Sequence, residues 1–479
     1  MKLSNLEPKR VFHYFEKICS IPHGSGDMKR IADFCEEFAK ENFFRYIRDN
    51  SDNVVIFKPA SQGYENAEPV ILQGHLDMVC QKSENTEIDF SAECIRPYID
   101  GDFVKAEGTT LGADNGIAVA MILAILENKD YKHPPIEAIF TVDEEIGLLG
   151  AGSLDCSVLK GKKMINLDSE EDNIVTVSCA GGRYFKVNLP FNRMKKTGYP
   201  VSLILKGLQG GHSGVEIHKG RVNANILMGR VLNHFRDNNG VNLISVDGGD
   251  KANAITNLCI AKLLVEDKDA FLNKSEAYLQ SIKAEIFARE PEFFYEIAVA
   301  DSEDAFVLPE ETKKAVIRSL VTSPQGVVDM SAEIEGLVET SMNLGILKTN
   351  EDSILFHYSF RSNKKTAIDF LQDKMTAFFS NVPCEIEVSG SYPSWEYKAD
   401  SPLRELYCSC YRDHYGADAN VEAIHAGLEC GVFDSKIENL DCISVGPNMF
   451  DVHTFNERLS ISSTENLFKV VVAVLEKSI

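Results

Sequence analysis

Positive charge is scarce in this chain: Lys and Arg total 49 against 72 for Asp and Glu, a formal net charge of −23. A surface of that sign does not track a phosphate backbone, which excludes nucleic-acid binding as the main activity. No basic amphipathic stretch suits a membrane surface, and no uninterrupted apolar run approaches the ~20 residues that span a bilayer. The opening MKLSNLEPKRVFHYFEKIC has no basic segment followed by an apolar core and a small-residue cleavage site, so no secretory signal is expected. The 12 cysteines include no CxxC pair; the nearest spacing is Cys408 and Cys410. Scattered thiols without an export signal point to a reducing compartment, and a cytoplasmic location is expected. Nor do they form a set for structural zinc; they read as buried thiols packed as small hydrophobes. Short repeats and low-complexity tracts are also missing.

What remains is an ordinary globular composition. Hydrophobic residues are 44% and charged residues 25% of 479, enough for a sizeable core in two large domains or about three smaller ones. Val11, Phe12, Phe15 and Ile18 recur at helical spacing, as do Ile31, Phe34 and Phe38. Short β-rich apolar runs at Pro69–Leu72, Ala138–Val142 and Met164–Leu167 read as buried strands. Gly116–Leu126 is too long for a typical strand and reads as a buried helix, with Asp114 or Asn115 near its start. Strands alternating with helices imply an α/β domain with a mostly parallel sheet covered on both faces.

The pattern changes near Gly181. Strands are expected at Val201–Leu205, Leu243–Val246, Asn257–Val265 and Ile354–Phe360, with exposed amphipathic helices at Val222–Phe235 and Ala367–Phe379. After Trp395 the α/β pattern returns, with a helix Pro402–Tyr415, a strand Cys442–Val445 and a helix Thr464–Leu475. The expected organisation is a discontinuous catalytic domain (residues 1–183 and 393–479) interrupted by an inserted α+β domain (184–392).

Polar clusters fall at the ends of the strands, where ligand-binding loops of α/β sheets sit. GHLDMV places His75 and Asp77 on one face of an extended segment, so a carboxylate can orient a metal-ligating imidazole. Alone, it reads as a strand-end capping pair. GTTLGADNGIAVA sets Asp114 in a Gly-flanked turn, which alone reads as a helix N-cap. TVDEEIGLLGA presents Asp143, Glu144 and Glu145 in succession; such carboxylates repel unless a cation or water separates them, and neighbours can divide metal binding from proton transfer. A solvated acidic turn is the plain alternative. INLDSEED ends a strand at Asp168, and GPNMFDVHTFNERL carries His453 past a Gly-Pro turn. Together His75, Asp114, Glu145, Asp168 and His453 offer two imidazoles and three carboxylates. That set suits a pair of borderline metals with one carboxylate bridging.

In order and wording, ILQGHLDMVCQK, GTTLGADNGIA, FTVDEEIGLLGA, GGHSGVEIHKGRVNA, HAGLECGVF and the GPN–H–ER stretch resemble the two-zinc aminoacylase and carboxypeptidase metallopeptidase superfamily. Within it the resemblance is to the aminoacyl-histidine (Xaa-His) dipeptidases of the peptidase D group, and it runs from Ile71 to Leu459. It implies that His75 and Asp168 hold one zinc, that Glu145 and His453 hold the other, and that Asp114 bridges them. Manganese or cobalt can occupy the same donors. The resemblance further implies that Asp77 orients His75 and that Glu144 is the general base. His212 would stabilise the oxyanion, from its own subunit or a partner's, and Arg361 would bind the substrate carboxylate through its guanidinium fork. Without the resemblance His212 reads as a structural turn histidine and Arg361 as a surface ion pair. Asn257 is a weaker candidate for substrate contact. His425 and Glu429 either line the pocket or belong to a structural loop; His13, His23, His133, His218, His234, His357 and His414 are read as structural.

The expected partner is a dipeptide, with a homodimer through the inserted domain, which would act as lid or dimerisation element. Thr454, Phe455 and Asn456 stand where the family usually has Ser-Pro-Asp, a departure that touches the pocket wall. The expected function is metal-dependent hydrolysis of dipeptides, Xaa-His and β-alanyl-histidine included. The alternatives are a related tripeptidase, carboxypeptidase or N-acyl amino acid deacylase, and a non-catalytic binding protein. The retained base and ligands argue against the last.

Overall fold

A computed structural model describes residues 2–238 and 240–478. The chain forms two compact units, one of Met1–Cys179, Trp395–Ala423 and Leu428–Ile479, the other of Ala180–Ser394 and Ile424–Gly427. The excursion at 424–427 had no signal in the sequence pattern.

The first unit is built on an eight-stranded sheet. Its order is Arg45–Arg48, Val54–Lys58, Ile136–Thr141, Val70–His75, Lys163–Asn166, Asp441–Ser444, Ile174–Cys179 and Asn420–Ile424. The four strands from Ile136–Thr141 to Asp441–Ser444 are parallel. The flanks are antiparallel, at Arg45–Arg48 and Val54–Lys58 on one side and at Ile174–Cys179 on the other. The central four strands thus form an unbroken parallel block. Every residue of Val70–His75 and Ile136–Thr141 is buried, as their continuous apolar runs require.

The helix Ala113–Glu127 is buried on nearly all sides, and its composition has no polar stripe to give to solvent. Helices Lys9–Cys19, Lys29–Glu41, Pro402–Tyr415 and Ile461–Lys477 complete the unit. Pro402–Tyr415 begins as local chemistry dictates: the Ser401 hydroxyl accepts from the Arg404 amide at 3.2 Å and proline occupies the first turn. Among the described residues no helix is long and apolar enough to cross a membrane.

The second unit is a ten-stranded sheet with helices Ala224–His234, Lys268–Ile286, Glu310–Thr322 and Lys365–Phe379. Its long strands Met194–Lys206, Val338–Thr349 and Ser353–Ser362 pair antiparallel with their neighbours. Phe185, Leu203, Leu263, Leu344, Phe356 and Phe360 pack with Met228 and Leu279 in one core. The helix Ala224–His234 buries most of its residues, where an exposed helix was expected. Its apolar residues are spread too widely for one stripe.

Candidate active site

The central parallel strands deliver the polar clusters to one end of the sheet. His75 closes the strand Val70–His75, Glu144 and Glu145 follow Ile136–Thr141, and Asp168 follows Lys163–Asn166. His453 lies in the left-handed region, at φ 64°, past the strand Asp441–Ser444. This is the rule for α/β sheets, carried out by segments far apart in the chain.

Asp114 lies at the centre of the cluster. Its Oδ1 is 3.1 Å from His75 Nε2, and its Oδ2 is 3.2 Å from His453 Nε2. His75 Nε2 is also 3.4 Å from Asp168 Oδ1, and His453 Nε2 is 2.8 Å from Glu145 Oε1. Among the described residues the donor atoms form two groups around Asp114, His75–Asp114–Asp168 and Asp114–Glu145–His453, with His75–Glu144–Glu145 a third beside them, each within 4.8 Å. Two donors on a tetrahedral zinc, each about 2.0–2.1 Å from it, stand about 3.3 Å apart. The separations of 3.1, 3.2 and 3.4 Å match that spacing, the His453–Glu145 pair at 2.8 Å is closer, and Asp114 offers a different oxygen to each histidine.

Asp114 is not an N-cap. The residue preceding the helix is Gly112, in the left-handed conformation, and Asp114 itself has non-helical dihedrals. The backbone amides of Leu111, Gly112, Ala113 and Asp114 donate instead to the carboxylate of Glu457, at 2.7, 3.1, 2.8 and 3.3 Å. With its amide satisfied elsewhere, the Asp114 side chain is free to face the two imidazoles.

Asp77 ties the His75 loop to the acidic turn. The His75 Nδ1–H faces the Asp77 carbonyl at 3.0 Å and its carboxylate at 3.4 Å, which leaves Nε2 facing Asp114 and Asp168. The same carboxylate accepts from the amides of Glu144 and Glu145, at 2.9 and 3.2 Å, and from the Ser25 hydroxyl at 2.8 Å. Asp143 accepts from the Gly26 amide at 2.7 Å. Ser25 and Gly26, in the HGSGD stretch, went unnoticed in the sequence because a Gly-Ser turn is ordinary loop chemistry.

The electrostatics fit a cation site. Burial raises Glu144 well above the usual carboxylate range, with the charges of Asp168, Glu429 and Glu145 adding to it and His75 opposing. Burial also lifts Asp168, to about 6. Burial disfavours a charged His75, yet the Asp168 charge and its carboxylate hydrogen bonds hold it well above an ordinary histidine. So many carboxylates with so little water call for positive charge among them. Below the cluster Glu429 is fully buried and accepts from Gln73 Nε2 at 2.5 Å and from the Thr141 hydroxyl at 2.7 Å. It underpins strand ends rather than lining a pocket.

His212, Arg361 and Asn257 all belong to the second unit. His212 lies on the short strand Gly211–His212, paired with Ala254–Ile255. Its Nδ1 accepts from the amides of Gly214 and Val215, at 3.3 and 3.2 Å, so the ring proton is on Nε2. Burial and the Arg361 charge push its pKa down to about 4, so it is a neutral donor near pH 7. Arg361 is 8% exposed, donates to the Tyr392 hydroxyl at 2.9 Å, and has an Nε with no partner.

His425 donates from Nδ1 to Asn363 Oδ1 at 3.2 Å and pairs with the Ser341 hydroxyl at 2.7 Å. All three converge on Gly214. A Cβ there would meet the His425 carbonyl at 2.5 Å, His212 Cε1 at 2.9 Å and Arg361 Nε at 3.2 Å. Asn257 is exposed, beside Gly210 and outside the strand Cys259–Val265. It is not brought into this group. Tyr392 gave no sequence signal, being one tyrosine among 15.

Peptidase family M20/M25/M40 matches residues 71–477. The chain belongs to this family. It is a metallopeptidase. It is 37% identical over 481 residues to the cytosol non-specific dipeptidase of Escherichia coli, covering 99% of both chains. The crystal structure of aminoacylhistidine dipeptidase from Vibrio alginolyticus superposes with a TM-score of 0.91 at 38% identity, covering 99% of this chain and 98% of that one. Aminopeptidase PepT from Bacillus cereus, 15% identical with a TM-score of 0.59 over 99% of each chain, shares the fold.

Proposed function

We propose that this chain hydrolyses dipeptides, Xaa-His dipeptides among them, at a centre of two divalent metal ions in the cytoplasm. The observation that carries the reading is Asp114, whose two oxygens each face a different histidine at 3.1 and 3.2 Å. The dipeptidase names of relatives sharing 37% and 38% identity over nearly the whole chain support the substrate class. His75 and Asp168 would hold one ion, Glu145 and His453 the other, with Asp114 between them. Two imidazoles and three carboxylates favour zinc. Bound there, the ions supply Lewis acidity to a peptide carbonyl and acidify water.

The protein's own groups do the rest. Glu144 takes the proton of the attacking water and returns it to the leaving amine nitrogen. Burial suits it to that task by raising its proton affinity. Asp77 fixes the His75 ring and the backbone of Glu144 together. His212 offers an Nε2–H to the oxyanion that forms on the carbonyl oxygen. The guanidinium of Arg361 receives the free C-terminal carboxylate. We assign the inserted unit the role of a lid or of a homodimer contact.

The test is product release by mass spectrometry from a panel of Xaa-His and other dipeptides, β-alanyl-histidine, a tripeptide and an N-acetyl amino acid. Each is run as purified, after chelation and after adding back zinc, manganese or cobalt. Chelator-sensitive cleavage confined to dipeptides is the expected result. Preferential cleavage of the tripeptide or the acyl amino acid would overturn the substrate class, and activity indifferent to chelation would overturn the metal centre.

A further inference from the structure

Glu457 is 2% exposed, and its carboxylate accepts the four successive amides Leu111 to Asp114. Each of its oxygens takes two of these bonds: Oε2 from Leu111 and Gly112, Oε1 from Ala113 and Asp114. Its lone pairs are therefore committed, and it belongs to neither group of donor atoms around Asp114. Its position in the chain gives this contact its meaning. Glu457 ends the short turn that carries His453, and its own amide donates to the Thr454 carbonyl at 3.1 Å. One carboxylate thus pins the backbone of Asp114 to the turn of His453, whose Nε2 stands 3.2 Å from Asp114 Oδ2.

Resting on the two-metal reading above, we propose that Glu457 is the positioning residue that sets the spacing of Asp114 and His453 and so determines how tightly the Glu145–His453 metal position binds. The carboxylate suits the task for three reasons. Charge-assisted bonds to amide donors are stronger than neutral ones. Four of them over consecutive residues leave the segment no freedom to pivot. Burial keeps water from competing for the same amides. A glutamine in its place keeps the shape but turns an NH2 toward amide donors that need an acceptor. An aspartate keeps the charge but falls one methylene short of the segment.

The test is metal binding by the full-length protein, titrated with zinc against a chromophoric chelator, with the stoichiometry checked by elemental analysis. Wild type is expected to hold two ions per chain. Glu457→Gln and Glu457→Asp are both expected to weaken one of the two roughly 10- to 100-fold, while the apo proteins still unfold in one cooperative transition. The visible spectrum of the cobalt-loaded variants should shift as one site changes geometry, which a merely structural role would not produce. Wild-type affinities in both variants would overturn the proposal. A defect in Glu457→Gln rescued by Glu457→Asp would overturn it too, since charge and not placement would then be what matters. A wild-type chain that binds fewer than two ions would overturn the metal-centre reading itself, a result distinct from the other two. If the glutamine variant does not fold, hydrogen exchange on metal-free wild type decides. Protection of the 111–114 amides supports the pin, and rapid exchange overturns it.

Discussion

Replacing Gly214 by alanine adds one methyl group where three functional groups converge. That methyl would stand 2.5 Å from the His425 carbonyl, 2.9 Å from His212 Cε1 and 3.2 Å from Arg361 Nε. Unstrained contacts of this kind relax at about 3.5–4.0 Å, so the groups must retreat by roughly 0.5–1 Å. The carbonyl is backbone and cannot swing aside, so the imidazole and the guanidinium take up most of the movement. A misplacement near 1 Å at a reacting centre costs about 100-fold in rate. Overpacking of this size costs about 1–3 kcal/mol of stability, or roughly 3–10 °C in the melting temperature of a unit this large. The assay is steady-state kinetics on the preferred dipeptide, with metal content measured in parallel. We expect kcat/KM to fall by one to two orders of magnitude while metal content stays at the wild-type value, because Gly214 lies in the second unit and every proposed metal-holding residue lies in the first. Wild-type kcat/KM in a folded Gly214→Ala protein would refute the assignment of His212 and Arg361 to the reaction.

Glu144→Gln should lower kcat by about 10²–10⁴ with metal content unchanged, the size expected for loss of a general base; elemental analysis beside the kinetics checks both halves. Arg361→Ala should raise KM for dipeptides and leave it unchanged for the same dipeptides amidated at the C-terminus, and an equal rise for both would remove the carboxylate role. His425 supplies a pH prediction. Burial first, then the nearby charges of Arg361 and His212, push its pKa down to about 3, against about 6.5 in an unfolded chain. Because the folded form resists protonation, its contribution to stability is full above pH 6.5 and declines as the pH falls toward 3. Thermal melts from pH 7 to pH 4 should show wild type losing more stability than His425→Asn; parallel curves would mean another group governs acid sensitivity.

Much of this was legible in the sequence, and the reasons differ by element. The helix Pro402–Tyr415 was readable to the residue because Ser401, Pro402 and Gly416 mark its ends by local chemistry alone. The buried strands announced themselves as continuous apolar runs. The residues gathered around Asp114 were recognisable because His75, Glu145, Asp168 and His453 follow strands, and Asp114 enters the buried helix, each in a strongly worded motif. The antiparallel flanks were not legible, since short strands such as Arg45–Arg48 are too polar and brief to show a period. Positions that matter through tertiary contact also stayed silent. Glu457 looks like one more acidic residue in a turn until the fold brings Leu111 to Asp114 against it. Tyr392 becomes meaningful only when its hydroxyl meets Arg361. Asn257 had the opposite history: its place in ANAITN suggested a contact, and the fold leaves it exposed beside Gly210.

The strand Asp441–Ser444 lies between Lys163–Asn166 and Ile174–Cys179, two strands that are neighbours in the chain but not in the sheet. A ribosome therefore releases the first half of this sheet with a slot in its middle, and the filler arrives only after the whole second unit has been made. Until then both slot walls are open β-edges, the kind of surface that recruits a stranger's strand. The first 179 residues expressed alone should accordingly clump, and supplying residues 395–479 as a separate piece should keep them in solution. Birth order sets when this protein becomes safe to be near its own copies.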